Sequence, residues 1–143
     1  MTVKRLLLAS MLLLAIACCL PTLTLLGSKG DTPKWPGFAV MGLGWMAAIY
    51  GQFAWFANVF WVLGGVLTLW NKSRWAKIMT ALSVLLAANC VTLRSLRIPE
   101  DESGSAARAS IQSLGPGFYF WIASLLVMLI ASHWKKGADT PAS

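Results

Sequence analysis

The chain has 143 residues, is 57% hydrophobic and only 12% charged, and carries a net charge of +7 with a mean hydropathy of +0.66. A water-soluble domain of this length carries roughly a quarter charged residues, and one domain is all the length allows. The apolar residues stand in long unbroken runs rather than at the period of a half-buried helix or strand, which excludes an ordinary soluble core. The basic residues flank those runs, so the charge speaks for membrane orientation and anionic lipid rather than nucleic acid.

Lys4 and Arg5 open the first run, Leu6 to Leu26, which contains no charge. A helix crossing the hydrocarbon core needs about 20 residues, with a usable range of about 17 to 25, so span 1 is placed at about 6–26. The same segment has the basic start and apolar core of a signal peptide, and "AIAC" at 15–18 resembles a lipobox around Cys18. Ala15 stands where a large aliphatic is usual, and the apolar run continues past Cys18. These two features favour an uncleaved first helix.

An uncharged stretch from Phe38 to Trp70 follows. As one helix its 33 residues would extend about 50 Å, too long for a single crossing. It is divided into an interfacial or helical segment at about 38–50 and span 2 at about 51–70. Gly44, Ala47, Ala48, Gly51 and Ala54 recur at three- and four-residue steps here, and Gly64-Gly65 make a smooth patch on span 2. Spacings of this kind allow close helix approach in membranes, whether within a bundle or between copies. The basic turn "NKSR" then leads into span 3 at about 75–94, in which Ser83 and Ala87 repeat the small-residue pattern.

Residues 95–116 are the one sizeable polar segment. Pro99 ends span 3, three acids cluster at Glu100, Asp101 and Glu102, and the segment is expected to be a solvated outer loop. "LGPGFYFWIAS" at 114–124 opens span 4, about 117–134. Pro116 suits a helix start because its missing N–H is not needed there. The aromatics that follow sit at the depth of the outer headgroups, where Trp and Tyr form belts. Tyr119 and Trp121 are therefore assigned as outer anchors, and Trp70, Trp75 and Trp134 as inner ones, the alternative being rings that line a lipid or quinone site. The tail, 135–143, is short, polar and expected to be disordered.

Charge sets the direction. With four crossings, Lys4, Arg5, Lys72, Arg74, Lys77, Lys135 and Lys136 share one side with a single acid, Asp139. The other side holds Lys29, Lys34, Arg94, Arg97 and Arg108 with four acids. Lys and Arg near span ends favour the cytoplasm. The expected fold is an all-α bundle of four transmembrane helices in the bacterial inner (plasma) membrane, with both termini cytoplasmic.

Polar residues inside the spans are the strongest local signal, because hydrocarbon offers them no partner. Counted from the outer ends, Asn58, Asn89 and Ser124 fall roughly 7 to 11 Å below the outer boundary. They form one candidate polar layer, with Gln52 at its mouth. One reading is a clasp in which Asn58 and Asn89 hydrogen-bond with each other or with Ser124. The other is a small outward-opening pocket.

Catalytic, cofactor and metal sets are not apparent. There are three cysteines, no CxxC pair and one histidine, short of the four ligands a structural zinc site wants. Cys18 or Cys19 lies at a depth similar to Cys90, which permits a disulfide, although packing explains all three. His133 stands at the inner boundary as a headgroup-level residue.

At "AWFAN" (54–58) and "LGPGFYFWIAS" (114–124) the sequence resembles small bacterial inner-membrane proteins of four helices, over most of the chain from Gly37 to Ala131. The resemblance implies the fold but no activity, and it transfers no functional residue. Two function classes remain. The first is a non-enzymatic accessory, assembly or immunity-type membrane protein that works through contacts with lipid and with a protein partner or a second copy. The second is a small transporter or a lipid- or quinone-binding protein that uses the polar layer.

Overall fold

A computed structural model describes residues 2–26, 34–50, 53–92, 95–99 and 106–134. The chain is mostly helical. Among the described residues the five α-helices are α1 (Val3–Cys19), α2 (Gly37–Leu43), α3 (Ala57–Leu69), α4 (Ser73–Thr92) and α5 (Pro116–His133), with 3-10 turns at Gly44–Tyr50 and Ala54–Phe56 between α2 and α3. Four strands, β1 (Pro21–Leu26), β2 (Lys34–Pro36), β3 (Ser95–Pro99) and β4 (Ala106–Leu114), form one antiparallel sheet in the order β2-β1-β4-β3.

The sheet is absent from the expected architecture, and local chemistry explains where it starts. The first apolar run was expected to remain helical to Leu26, yet α1 stops at Cys19. Pro21 pushes the residue before it out of the helical region, and Leu20 is extended at φ −97°, ψ 154°. The following Pro-Thr-Leu-Thr-Leu-Leu becomes β1. Its partner comes from far along the chain: Leu23 pairs with Leu114 and Thr24 with Ser113. The 95–116 segment, expected as a loop, supplies both β3 and β4, paired from Ser95↔Ser110 to Pro99↔Ala106. The sheet thus joins the connection after α1 to the connection after α4.

Glycine makes the junction between sheet and bundle possible. The Gly115 N–H donates to Thr22 O at 2.9 Å, and a Cβ there would collide with the Pro21 carbonyl. α5 then begins with Pro116 in its first turn. A Cβ on Gly117 would sit 2.7 Å from Thr22 Oγ1 and 2.9 Å from Leu20 O. The dense Gly-Pro-Gly turn is therefore where α5, β1 and the end of α1 meet.

Within the bundle α1 packs along α5, α3 along α4, and α4 against α5. The α3–α4 connection is the tight turn through Asn71, whose φ of 58° lies in the left-handed region that Asn tolerates. The core cluster contains Leu6, Leu7, Ala57, Trp61, Ala87, Leu125, Met128 and Ala131.

By length and composition, one helix among the described residues, Pro116–His133, is long and apolar enough to cross a membrane. The other expected spans fall short for visible reasons. α1 loses its last residues to β1, α3 has 13 residues because the chain before it winds as 3-10 turns, and α4 carries Arg74, Lys77, Thr80, Ser83 and Asn89 along its 20 residues.

Hydroxyls share the interior with the apolar core, while many large apolar side chains stand exposed. Of the five largest fully buried side chains, four are hydroxyls: Thr80, Ser10, Ser83 and Ser124, beside Leu125. Large apolar side chains point outward along every long helix, among them Leu8 and Leu12 on α1, Val62 on α3, Leu85 on α4 and Ile130 on α5, all at least half exposed.

Candidate functional site

Helices that are apolar on every side must meet through small or hydroxyl-bearing side chains, and here those hydroxyls connect. Ser10 of α1 is fully buried. Its Oγ donates to the Ser124 carbonyl of α5 at 2.7 Å and accepts from Trp61 Nε1 of α3 at 3.0 Å. Ser124 Oγ donates back one turn to the Trp121 carbonyl at 2.7 Å. The Trp121 indole N–H donates to Asn58 Oδ1 at 2.8 Å. Asn58 and Trp61 are three residues apart on α3, and Trp121 and Ser124 three apart on α5. Each pair shares a helix face, so one polar chain closes across three helices.

Two members of the expected layer, Asn58 and Ser124, are tied into this chain through Trp121. Asn58 is half-buried and Ser124 fully buried, and Asn58 Oδ1 accepts from the Trp121 indole. Asn89 lies exposed on α4, because the α3–α4 contact is made by the neighbouring Ser83 face. Ser83 Oγ donates to Ala57 O at 2.8 Å. Gln52 lies outside the described residues. Trp121, assigned as an outer anchor, turns inward to pack against the core and to use its N–H. Phe118 is buried as well, while Tyr119 and Phe120 face outward. Trp70, Trp75 and Trp134 are exposed.

Ser10 and Trp61 were missed in the sequence because each sits in an apolar run with nothing to mark its direction. The three-residue step from Asn58 to Trp61 was the available signal.

A second polar cluster lies at the opposite end of the bundle. Thr80 Oγ1 of α4 and Ser132 Oγ of α5 are 2.9 Å apart, and each also meets its own helix: Thr80 reaches Ala76 O, and Ser132 reaches Leu129 O. Here Gly64 of α3 lies against Thr80, where a Cβ would come within 2.5 Å of Thr80 Cγ2. His133 Nδ1 lies 3.0 Å from Leu129 O and 3.2 Å from Ser132 Oγ.

Beside this cluster opens a cleft of about 180 Å³ between the start of α1, the α3–α4 turn and the end of α5, lined by Val3, Asn71, Ser73, Lys77, His133 and Trp134 among others. Lys4, Arg5, Lys72 and Arg74 stand exposed around it and Lys77 is half-buried. Lys135 and Lys136 lie outside the described residues.

Among the described residues no buried side-chain nitrogen or oxygen lacks a partner. No group of three His, Cys, Asp or Glu is placed to hold a metal. Cys18, Cys19 and Cys90 are free thiols. The polar chain thus uses its hydrogen-bonding capacity internally, as a clasp does. Comparison with protein-family models, curated proteins and solved structures finds no significant match to this chain.

Proposed function

We propose that the chain is a multi-pass inner-membrane protein whose helices α1, α3, α4 and α5 cross in alternating directions, and that it acts without catalysis, through contacts of its helix faces and outer sheet with a partner. The observation that carries this reading is the outer surface: large apolar side chains stand exposed along every long helix, while hydroxyls and small residues share the interior with Leu6, Leu7, Trp61, Leu125 and Met128. Water would penalise that exposed apolar surface, whereas lipid does not distinguish it from its own chains.

Two further features support the reading. The α3–α4 turn, the start of α1 and the end of α5 converge on one cleft, which gathers Lys4, Arg5, Lys72, Arg74 and Lys77 at one end. The sheet closes the other end. Such an arrangement matches cytoplasmic termini and an outer sheet. α1, about 25 Å long at 17 residues, is short for a bilayer of about 30 Å, a mismatch that local thinning and snorkelling basic residues absorb.

The polar chain is a clasp that fixes the three helices rather than a transport pocket, because its members are bonded to one another. Topology and partnership are tested together. Reporter fusions after Trp70 and at the carboxyl end should read cytoplasmic, and a fusion within Glu100–Ala107 should read exterior. Co-purification in mild detergent should retain a stoichiometric protein partner or a second copy. An exterior signal after Trp70, or a retained quinone in place of protein, would overturn the reading.

A further inference from the structure

We infer that the Ala17–Cys18 peptide bond is a leader-peptidase site that the folded chain keeps closed, so that docking of α1 decides whether α1 stays as a span; this rests on the membrane-spanning reading above. The residues before the bond carry the pattern such an endopeptidase reads. Lys4 and Arg5 precede an apolar core, and Ala15-Ile16-Ala17 sets small residues at the first and third places before the cut. With the sheet on the outer side, the bond lies at the outer end of α1, where a leader peptidase cuts a translocated chain.

The structure covers this bond from two directions. α1 stays helical through Cys19, so the segment is wound rather than extended. Ala17 is only 4% exposed. Its carbonyl, the group a peptidase must attack, accepts from Leu20 N–H at 3.4 Å. A Cβ on Gly37, the first residue of α2, would collide with that oxygen and come within 2.8 Å of Cys18 Cα. A Cβ on Gly117 of α5 would stand 3.0 Å from the same oxygen. Gly37 N–H also donates to Leu20 O at 2.9 Å, which pins the start of α2 to the end of α1. Backbone of α2 and α5 therefore covers the reacting atoms, while Ala15 stays exposed.

Cleavage here is hydrolysis: water adds across the amide, leaving a carboxylate on Ala17 and an amino group on Cys18, with no change of oxidation state. A peptidase takes its substrate extended, so the rate follows the fraction of chains in which the end of α1 has locally left α2 and α5. Overpacking at Gly37 raises that fraction about 5- to 30-fold.

The test uses the full chain in a bacterial inner membrane, with its fragments identified by mass spectrometry after extraction and local opening followed by amide exchange. In wild type the bond should be intact. Gly37→Val should speed exchange of the 17–20 amides and raise the product beginning at Cys18 about 5- to 30-fold. Gly42→Val, on the same helix but with open space around its Cβ position, should match wild type. Ala17→Leu added to Gly37→Val should abolish the Cys18 product, because the peptidase needs a small residue before the cut. Persistence of that product would mean general proteolysis of a loosened chain and overturn the site. Cys18→Ser in the Gly37→Val background should leave cleavage unchanged. Loss of cleavage there, with a diacylglyceryl group on Cys18 of the Gly37→Val chain, would mean lipoprotein processing and overturn the leader-peptidase assignment. A wild type already cut at this bond would overturn the closure, as would unchanged exchange in both Gly37→Val and Gly117→Val. Carbonate extraction separates the two levels. A chain released from membranes refutes the spanning reading, whereas an embedded variant that opens at 17–20 and stays uncut refutes the site alone.

Discussion

Ser10→Ala is the sharpest probe of the clasp. The hydroxyl is fully buried and makes two bonds, donating to Ser124 O at 2.7 Å and accepting from Trp61 Nε1 at 3.0 Å. Its loss affects the partners unequally. The Ser124 carbonyl keeps its place in the α5 ladder, so it remains bonded. The indole N–H of Trp61 has no second acceptor in that ladder and is left buried without one, at a cost of about 1–3 kcal/mol. Interhelical bonds in membranes average about 0.6 kcal/mol, which sets the lower bound if the ring reorients. Ser10→Ala should therefore destabilise by about 1–2 kcal/mol. Trp61→Phe removes the donor, so Ser10→Ala in that background should cost about 0.6 kcal/mol or less. A double-mutant cycle read by reversible unfolding in mixed micelles would give a coupling near 1 kcal/mol. Simple additivity of the two changes would refute the proposed wiring.

Asn58→Leu leaves the Trp121 N–H without its acceptor, so its cost of about 1 kcal/mol should vanish in a Trp121→Phe background, measured by the same unfolding assay. Gly64→Val places side-chain atoms against Thr80, already 2.5 Å from an added Cβ. It should cost about 1–3 kcal/mol by overpacking, with a matching fall in the unfolding midpoint. Gly115→Val collides with the backbone carbonyl of Pro21 and should loosen the sheet while sparing the helices, seen as faster amide exchange in 21–26 and 106–114 with helical circular dichroism retained.

Much of the molecule was legible in its residues alone. The shortage of charge and the long apolar runs point to lipid and to helices, and the structure is mostly helical. Pro116 between two glycines marks the start of α5. Lys and Arg at the run ends mark which ends belong together. These are local properties, fixed by composition and by backbone chemistry within a few residues. Two things were decided only by tertiary structure. The sheet depends on Leu23 meeting Leu114, and no local signal ties segments so far apart, although Pro21 already forbade the longer first helix. The clasp depends on which way each side chain turns. Helices that are apolar all round carry no amphipathic stripe to reveal an inner face, so Trp121 read as an anchor and Ser10 went unmarked. Direction came from close packing instead. Small and hydroxyl-bearing residues such as Ser10, Gly64 and Ser83 turn inward because they let backbones approach, while Leu6, Leu7 and Leu125 fill the core between them and Leu8, Leu12 and Leu85 stay outside.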